Sequence, residues 1–109
     1  MAKPIQTQIV ERARALIADE EHWCRGALAR DEDDDEVCPT SDQALRRCGL
    51  GAVLAAAYEL THDFATAHDL ALTALRPRYG TATLVQVNDL IGHSAVLALF
   101  DQVVAAQAE

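Results

Sequence analysis

A thiolate attacks an electrophilic carbon once a neighbouring base has taken its proton, and the base works best when a third group orients it. Cys48, His93 and Asn88, with Asp89 beside the amide, supply those roles in this sequence. Used together they would make a small thiol-dependent hydrolase or transferase. The chain order is Cys, then Asn-Asp, then His. In the papain group the His precedes the Asn. Free cysteine is also among the most buried residue types. A competing reading therefore makes Cys48 a small core residue under a helix. Asn88-Asp89 is then a turn that bonds its own backbone, and His93 a contact of the last helix. No glycine-rich phosphate loop, His-Glu-x-x-His or Gly-x-Ser-x-Gly string is present, so the expectation leans away from an enzyme and includes no cofactor.

The second chemical feature is charge. The 109 residues carry nine basic and seventeen acidic side chains, for a net charge of −8. Residues 31–42 hold seven acidic and no basic side chains, so the rest of the chain is close to neutral. The candidate binding residues are this run, Asp31, Glu32, Asp33, Asp34, Asp35 and Glu36, together with Trp23. A block of like charges repels itself and stays solvated, and the plain expectation is an exposed, mobile loop that aids solubility. A sharper reading is a docking surface for a protein partner with a basic surface. Nucleic acid and anionic membranes are disfavoured, because both need clustered Lys and Arg. Asp31, Asp33 and Asp35 alternate like the start of a calcium loop. Glu36 then stands where that loop needs glycine, and Asp42 where it needs glutamate, so calcium is not expected.

Three cysteines, Cys24, Cys38 and Cys48, are an odd and widely spaced set. With His22 they form no close ligand pairs of the kind zinc sites use, and no metal is expected. Free thiols, the absence of an apolar leader and the absence of a long apolar run together predict a cytoplasmic protein.

These groups must be positioned by a core with few aromatics, built mainly from Ala, Leu and Val. Ile5, Ile9, Ala13, Leu16 and Ile17 recur at helical spacing and predict an amphipathic helix over about 4–19. Residues 23–39 read as a loop or small β-hairpin. Thr40 and Gln43 have the spacing of a capping box, predicting a helix from there to about Leu60, with Cys48 near its third turn. Gly49 and Gly51 inside it imply close approach by a neighbouring element. Asp63 caps a further helix whose face is Phe64, Ala67, Ala71, Ala74 and Leu75, and Arg76-Pro77 stops it. Residues 81–88 are ambiguous: Leu84, Val87 and Ile91 along one side fit a short helix, the favoured reading, while the β-branched content suits a strand. Gly92 ends it, and Ser94 or His93 opens the last helix. The fold class is mainly α, a bundle of four to five helices forming one domain over residues 1–109.

Three strings carry a resemblance. They are Trp23-x-x-Gly26-Ala27-x-Ala29-Arg30-Asp31, Cys48-x-Leu50-Gly51-Ala52, and Asn88-Asp89-x-x-Gly92-His93 continuing to Phe100-Asp101. In this order they resemble a family of small uncharacterised proteins from bacteria and their phages, a domain of unknown function, over about residues 8–104. The resemblance implies one domain and no known activity. Were Trp23, Gly26, Cys48, Asn88 and His93 to form one site, they would have to converge in space. The preferred expectation is a non-enzymatic protein-interaction module, phage or mobile-element related by analogy only. A homodimer through an alanine-rich helix face is a further expectation.

Overall fold

In the computed structural model, residues 3–75 and 80–107 are described; the expected stop at Arg76-Pro77 lies outside them. Five α-helices, one two-stranded antiparallel sheet, a short 3-10 turn at Glu20–His22 and a π turn at Val87–Ile91 make up the regular structure of these residues. Helix α1 spans Ile5–Leu16, α2 Gly49–Thr61, α3 Phe64–Ala74, α4 Thr81–Gln86 and α5 His93–Gln107. Strands β1 (Ala29–Arg30) and β2 (Arg46–Arg47) pair in the register Ala29↔Arg47 and Arg30↔Arg46. No helix among the described residues is long and apolar enough to cross a membrane.

Helix α2 is central, packing on α1, α3 and α4. Its Ala52, Val53, Ala56 and Ala57 are fully buried. Small side chains let neighbouring helices approach closely, and the bulk is supplied from outside by Ile9, Ile17, Leu75, Leu84 and Phe100. Helix α1 crosses to α5 through an ion pair and a polar contact as well as apolar ones. Arg14 Nε lies 2.7 Å from Asp101, and the Thr7 hydroxyl donates to Gln107 at 2.9 Å. Gln107 in turn donates to the carbonyl of Ala74 at 2.6 Å, tying α5 to the end of α3.

Three local expectations change and one narrows. The central helix begins at Gly49 with Cys48 as its N-cap, not at Thr40. Residues 40–45 form turns, in which the Ser41 hydroxyl accepts from Gln43 N. Arg46–Arg47 are drawn into a strand by pairing with Ala29–Arg30, so tertiary hydrogen bonds override the capping signal. Secondly, of the loop and the small hairpin expected for residues 23–39, the loop is what forms. Its closure is one bridge, Arg30↔Glu36, and the strand partner comes from 46–47. Thirdly, Ile91 does not share the inward face with Leu84. A π turn over Val87–Ile91 adds a residue to the helical circuit, so Leu84 is fully buried while Ile91 is 68% exposed. Finally, Phe64 stands outside the core at 61% exposure, whereas Ala67, Ala71, Ala74 and Leu75 of the same face are buried.

Gly51 explains why the chain turns where it does. A Cβ there would lie 1.9 Å from the carbonyl oxygen of Leu28. The same carbonyl accepts from Cys48 N at 3.1 Å. The arm entering β1 therefore lies against the first turn of α2 at a distance that only glycine permits.

Candidate functional site

Asn88 is the centre around which the chemically suggestive residues gather. Its side chain is fully buried. Its Oδ1 accepts from the Trp23 indole Nε1 at 2.7 Å and from Gly49 N at 2.9 Å. Its Nδ2 donates to the Cys24 carbonyl at 3.1 Å and to Asp89 Oδ1 at 2.9 Å. All four hydrogen-bonding positions of the amide are thereby filled. The π turn delivers this side chain inward, and the bond to Gly49 N satisfies one of the orphan donors at the start of α2. Asp89 Oδ1 also accepts from Gly26 N at 3.2 Å. Arg25 stacks over the Trp23 ring at 5.2 Å from its centroid and donates to the Asp89 carbonyl at 3.3 Å. Asn88-Asp89 is thus a long-range clasp across 63–65 residues, where the sequence suggests a local turn.

Cys48 and His93 border this clasp without joining each other. The Cys48 sulfur accepts from Gly51 N at 3.3 Å, and the residue is 5% exposed. Its position at a helix N-terminus would favour the thiolate. Burial outweighs that and pushes the thiol above its ordinary value. Cys24, buried next to it, is pushed up to about 11 by burial first and by Cys48 second. His93 Nε2 lies 2.6 Å from the Ile17 carbonyl, which can only accept, so that nitrogen carries the proton. Nδ1 lies 4.0 Å from Glu20, and the ring packs at 5.5 Å from the Trp23 ring. No hydrogen bond among the described residues links Cys48 to His93. Trp23, Gly26, Asn88, Asp89 and His93 are brought together, and Cys48 adjoins them through Gly49.

This arrangement has a reactivity consequence. Cys38 is exposed, and hydrogen bonding to Thr40 lowers its pKa. Iodoacetamide at neutral pH is expected to alkylate Cys38 first, with Cys24 and Cys48 reacting only as the fold opens. Intact-mass spectrometry should count one rapid adduct on the folded chain and three in urea. Rapid modification of Cys48 in the folded chain would restore it as a nucleophile.

The acidic run is drawn into a hydrogen-bonded turn. Asp31 Oδ1 accepts from Asp33 N at 2.9 Å and from Asp35 N at 3.0 Å. The Asp31 backbone N–H and carbonyl bond Asp35 O and Asp34 N. Asp34 adopts φ 67°, in the left-handed region that Asp tolerates. Arg46 Nη2 holds its carboxylate at 2.7 Å, and Arg30 Nη1 donates to its carbonyl at 3.0 Å. One oxygen each from Asp31, Asp33 and Asp35 falls within 4.8 Å of the others. Glu32, Asp33, Asp35 and Glu36 are exposed and have no ion-pair partner among the described residues.

The profile described as "Family of unknown function (DUF6197)" matches residues 1–106. The chain belongs to that family. No curated protein and no solved structure matches it. In this DUF6197 chain the clasp, the turn and helices α1 to α4 fall within the matched span, and α5 does so except for Gln107.

Sequence reasoning missed Arg25, which has no pattern to mark it, and the outward Phe64. That side chain and Tyr58 have ring centroids 4.4 Å apart. They line an apolar groove of about 290 Å³ with Leu28, Cys38, Pro39, Thr40, Leu54, Ala67 and His68. The alternation of Phe64 with the buried alanines of α3 could not reveal it, because a helix start can face either way.

Proposed function

We propose that this chain is a non-enzymatic protein-interaction module that docks a basic partner against the turn of residues 31–36. The observation that carries the reading is the construction of that turn. Asp31, Arg30 and Arg46 hold the turn through hydrogen bonds and an ion pair, while four carboxylates stay exposed with no ion-pair partner among the described residues. Fixing like charges close together is unfavourable, and a positively charged partner relieves it. A preformed turn also spares the partner the entropy of ordering a loop, and its field speeds encounter. The same field opposes nucleic acid and anionic membranes. The free thiols suit a reducing cytoplasm. A mobile-element setting, where small acidic proteins cover basic surfaces, fits by analogy alone. The thiol-dependent alternative has less support, since Asn88 and His93 spend their hydrogen bonds on the fold and burial keeps Cys48 protonated.

The test changes Glu32→Gln, Asp33→Asn, Asp35→Asn and Glu36→Gln together, leaving Asp31 and Asp34, which build the turn. Affinity capture from the native host should lose its partner. Stability should move by no more than about 0.5 kcal/mol per site. Capture of the same partner by the neutralised chain would rule the docking surface out.

A further inference from the structure

We infer that the apolar groove beside the acidic turn receives an apolar anchor side chain from a Lys- or Arg-rich segment of the partner. This deepens the docking reading and rests on it. The groove is built where three parts of the fold meet. Leu28 and Pro39 come from the two arms that carry the acidic turn, Leu54 and Tyr58 from α2, and Phe64 from the first turn of α3. Almost all of its lining atoms are apolar. Phe64 is 61% exposed and Leu28 40% exposed, so a sizeable apolar surface faces water. Asp63 pins Phe64 there by accepting from Thr66 N at 3.0 Å, which fixes the start of α3. A volume of about 290 Å³ lies at the lower edge of small-molecule pockets, so it suits a side chain better than a cofactor. Exposed aromatics of this kind anchor protein interfaces.

Charge selects the occupant. Leu28 stands three residues before Asp31, and Pro39 three after Glu36. At roughly 3.5 Å per residue, the first carboxylates lie within about 11 Å of the groove wall along the chain, close to one Debye length. Among the described residues no Lys or Arg lines the groove. A segment with an apolar residue among basic ones would satisfy both surfaces at once. A second copy of this chain would bring its own acidic turn and a net charge of −8 toward the first, which opposes self-association here.

The experiment titrates the ¹⁵N-labelled chain with a synthetic peptide of one central Phe flanked by two Lys on each side, and with the same peptide carrying Ala at the centre. The Phe peptide should shift Leu54, Tyr58 and Phe64 amides saturably and bind about tenfold tighter than the Ala peptide. Phe64→Ser should reduce that advantage to near unity. The peptide comparison needs no change in the protein, so it stands even where a variant folds poorly. Equal binding of both peptides, with shifts confined to 31–36, overturns the groove and leaves the docking turn intact. Groove binding that keeps its affinity after Glu32, Asp33, Asp35 and Glu36 are neutralised overturns the charge-based reading and this inference with it. Shifts of the groove amides with protein concentration alone identify a second copy as the occupant and also overturn it. No saturable shift with either peptide overturns both.

Discussion

Asn88→Ala is expected to destabilise the fold by about 4 kcal/mol, the largest effect of any single polar substitution in this chain. The change orphans the Trp23 indole N–H, the Gly49 N–H and the Cys24 carbonyl at once. Each buried polar group left without a partner costs about 1–3 kcal/mol, and water admitted to the gap recovers part of it. The whole stability of a domain this size is about 5–15 kcal/mol, so the urea midpoint should fall by roughly 2 M. Trp23 is the sole tryptophan, and its fluorescence and indole N–H resonance report the clasp directly. An unchanged indole resonance with a midpoint shift under about 0.5 M would show that the clasp contributes little.

Gly51→Ala is expected to cost about 3 kcal/mol, although alanine is the better helix former by about 1 kcal/mol. The added methyl would meet backbone, since the Leu28 carbonyl oxygen and carbon would lie 1.9 and 2.9 Å away. Backbone cannot rotate aside as a side-chain tip does. Relief requires moving the arm before β1, which breaks the Cys48 N to Leu28 O bond. Gly80→Ala is the matched control. Nothing lies within 4 Å of its Cβ position, so its effect should stay under about 1 kcal/mol. Thermal unfolding of both variants followed by circular dichroism compares them. Similar melting temperatures would contradict the close approach.

The helices were legible because their signals are local. Ile9, Ala13 and Ile17 repeat at helical spacing and are fully buried, and Asp63 caps α3 as its sequence context suggests. The close approach at Gly49 and Gly51 was legible too, as two poor helix formers in an apolar run. The start of α2 was not, since Thr40 and Gln43 carry a valid local signal that distant pairing with Ala29–Arg30 overrules. Asn88 posed the harder problem. An Asn-Asp pair favours turns, and nothing nearby shows that its amide will meet Trp23 and Gly49. The π turn had no sequence mark, so Ile91 was placed with Leu84 by a period that the backbone then breaks. Resemblance to a family placed Trp23, Gly26, Asn88 and His93 among its motifs, and the fold brings them together. The acidic run was obvious as composition, while its conversion into a fixed turn depends on arginines at 30 and 46.

The clasp also bears on the order in which the chain can complete itself during synthesis. Ribosomes add about 5–20 residues per second and the earlier segments emerge first. Trp23 and Gly49 are therefore made well before the side chain that closes on them at position 88. Arg14 likewise waits for Asp101, and Thr7 for Gln107. Helices α1 and α2 can collapse onto each other early, joined by the Arg12–Glu59 ion pair at 2.7 Å, but their polar contacts with the second half stay open until residues 88–107 arrive. The nascent first half of this protein thus spends seconds with an unpaired indole and, despite the Cys48 cap, an unbonded Gly49 N–H at the start of its central helix.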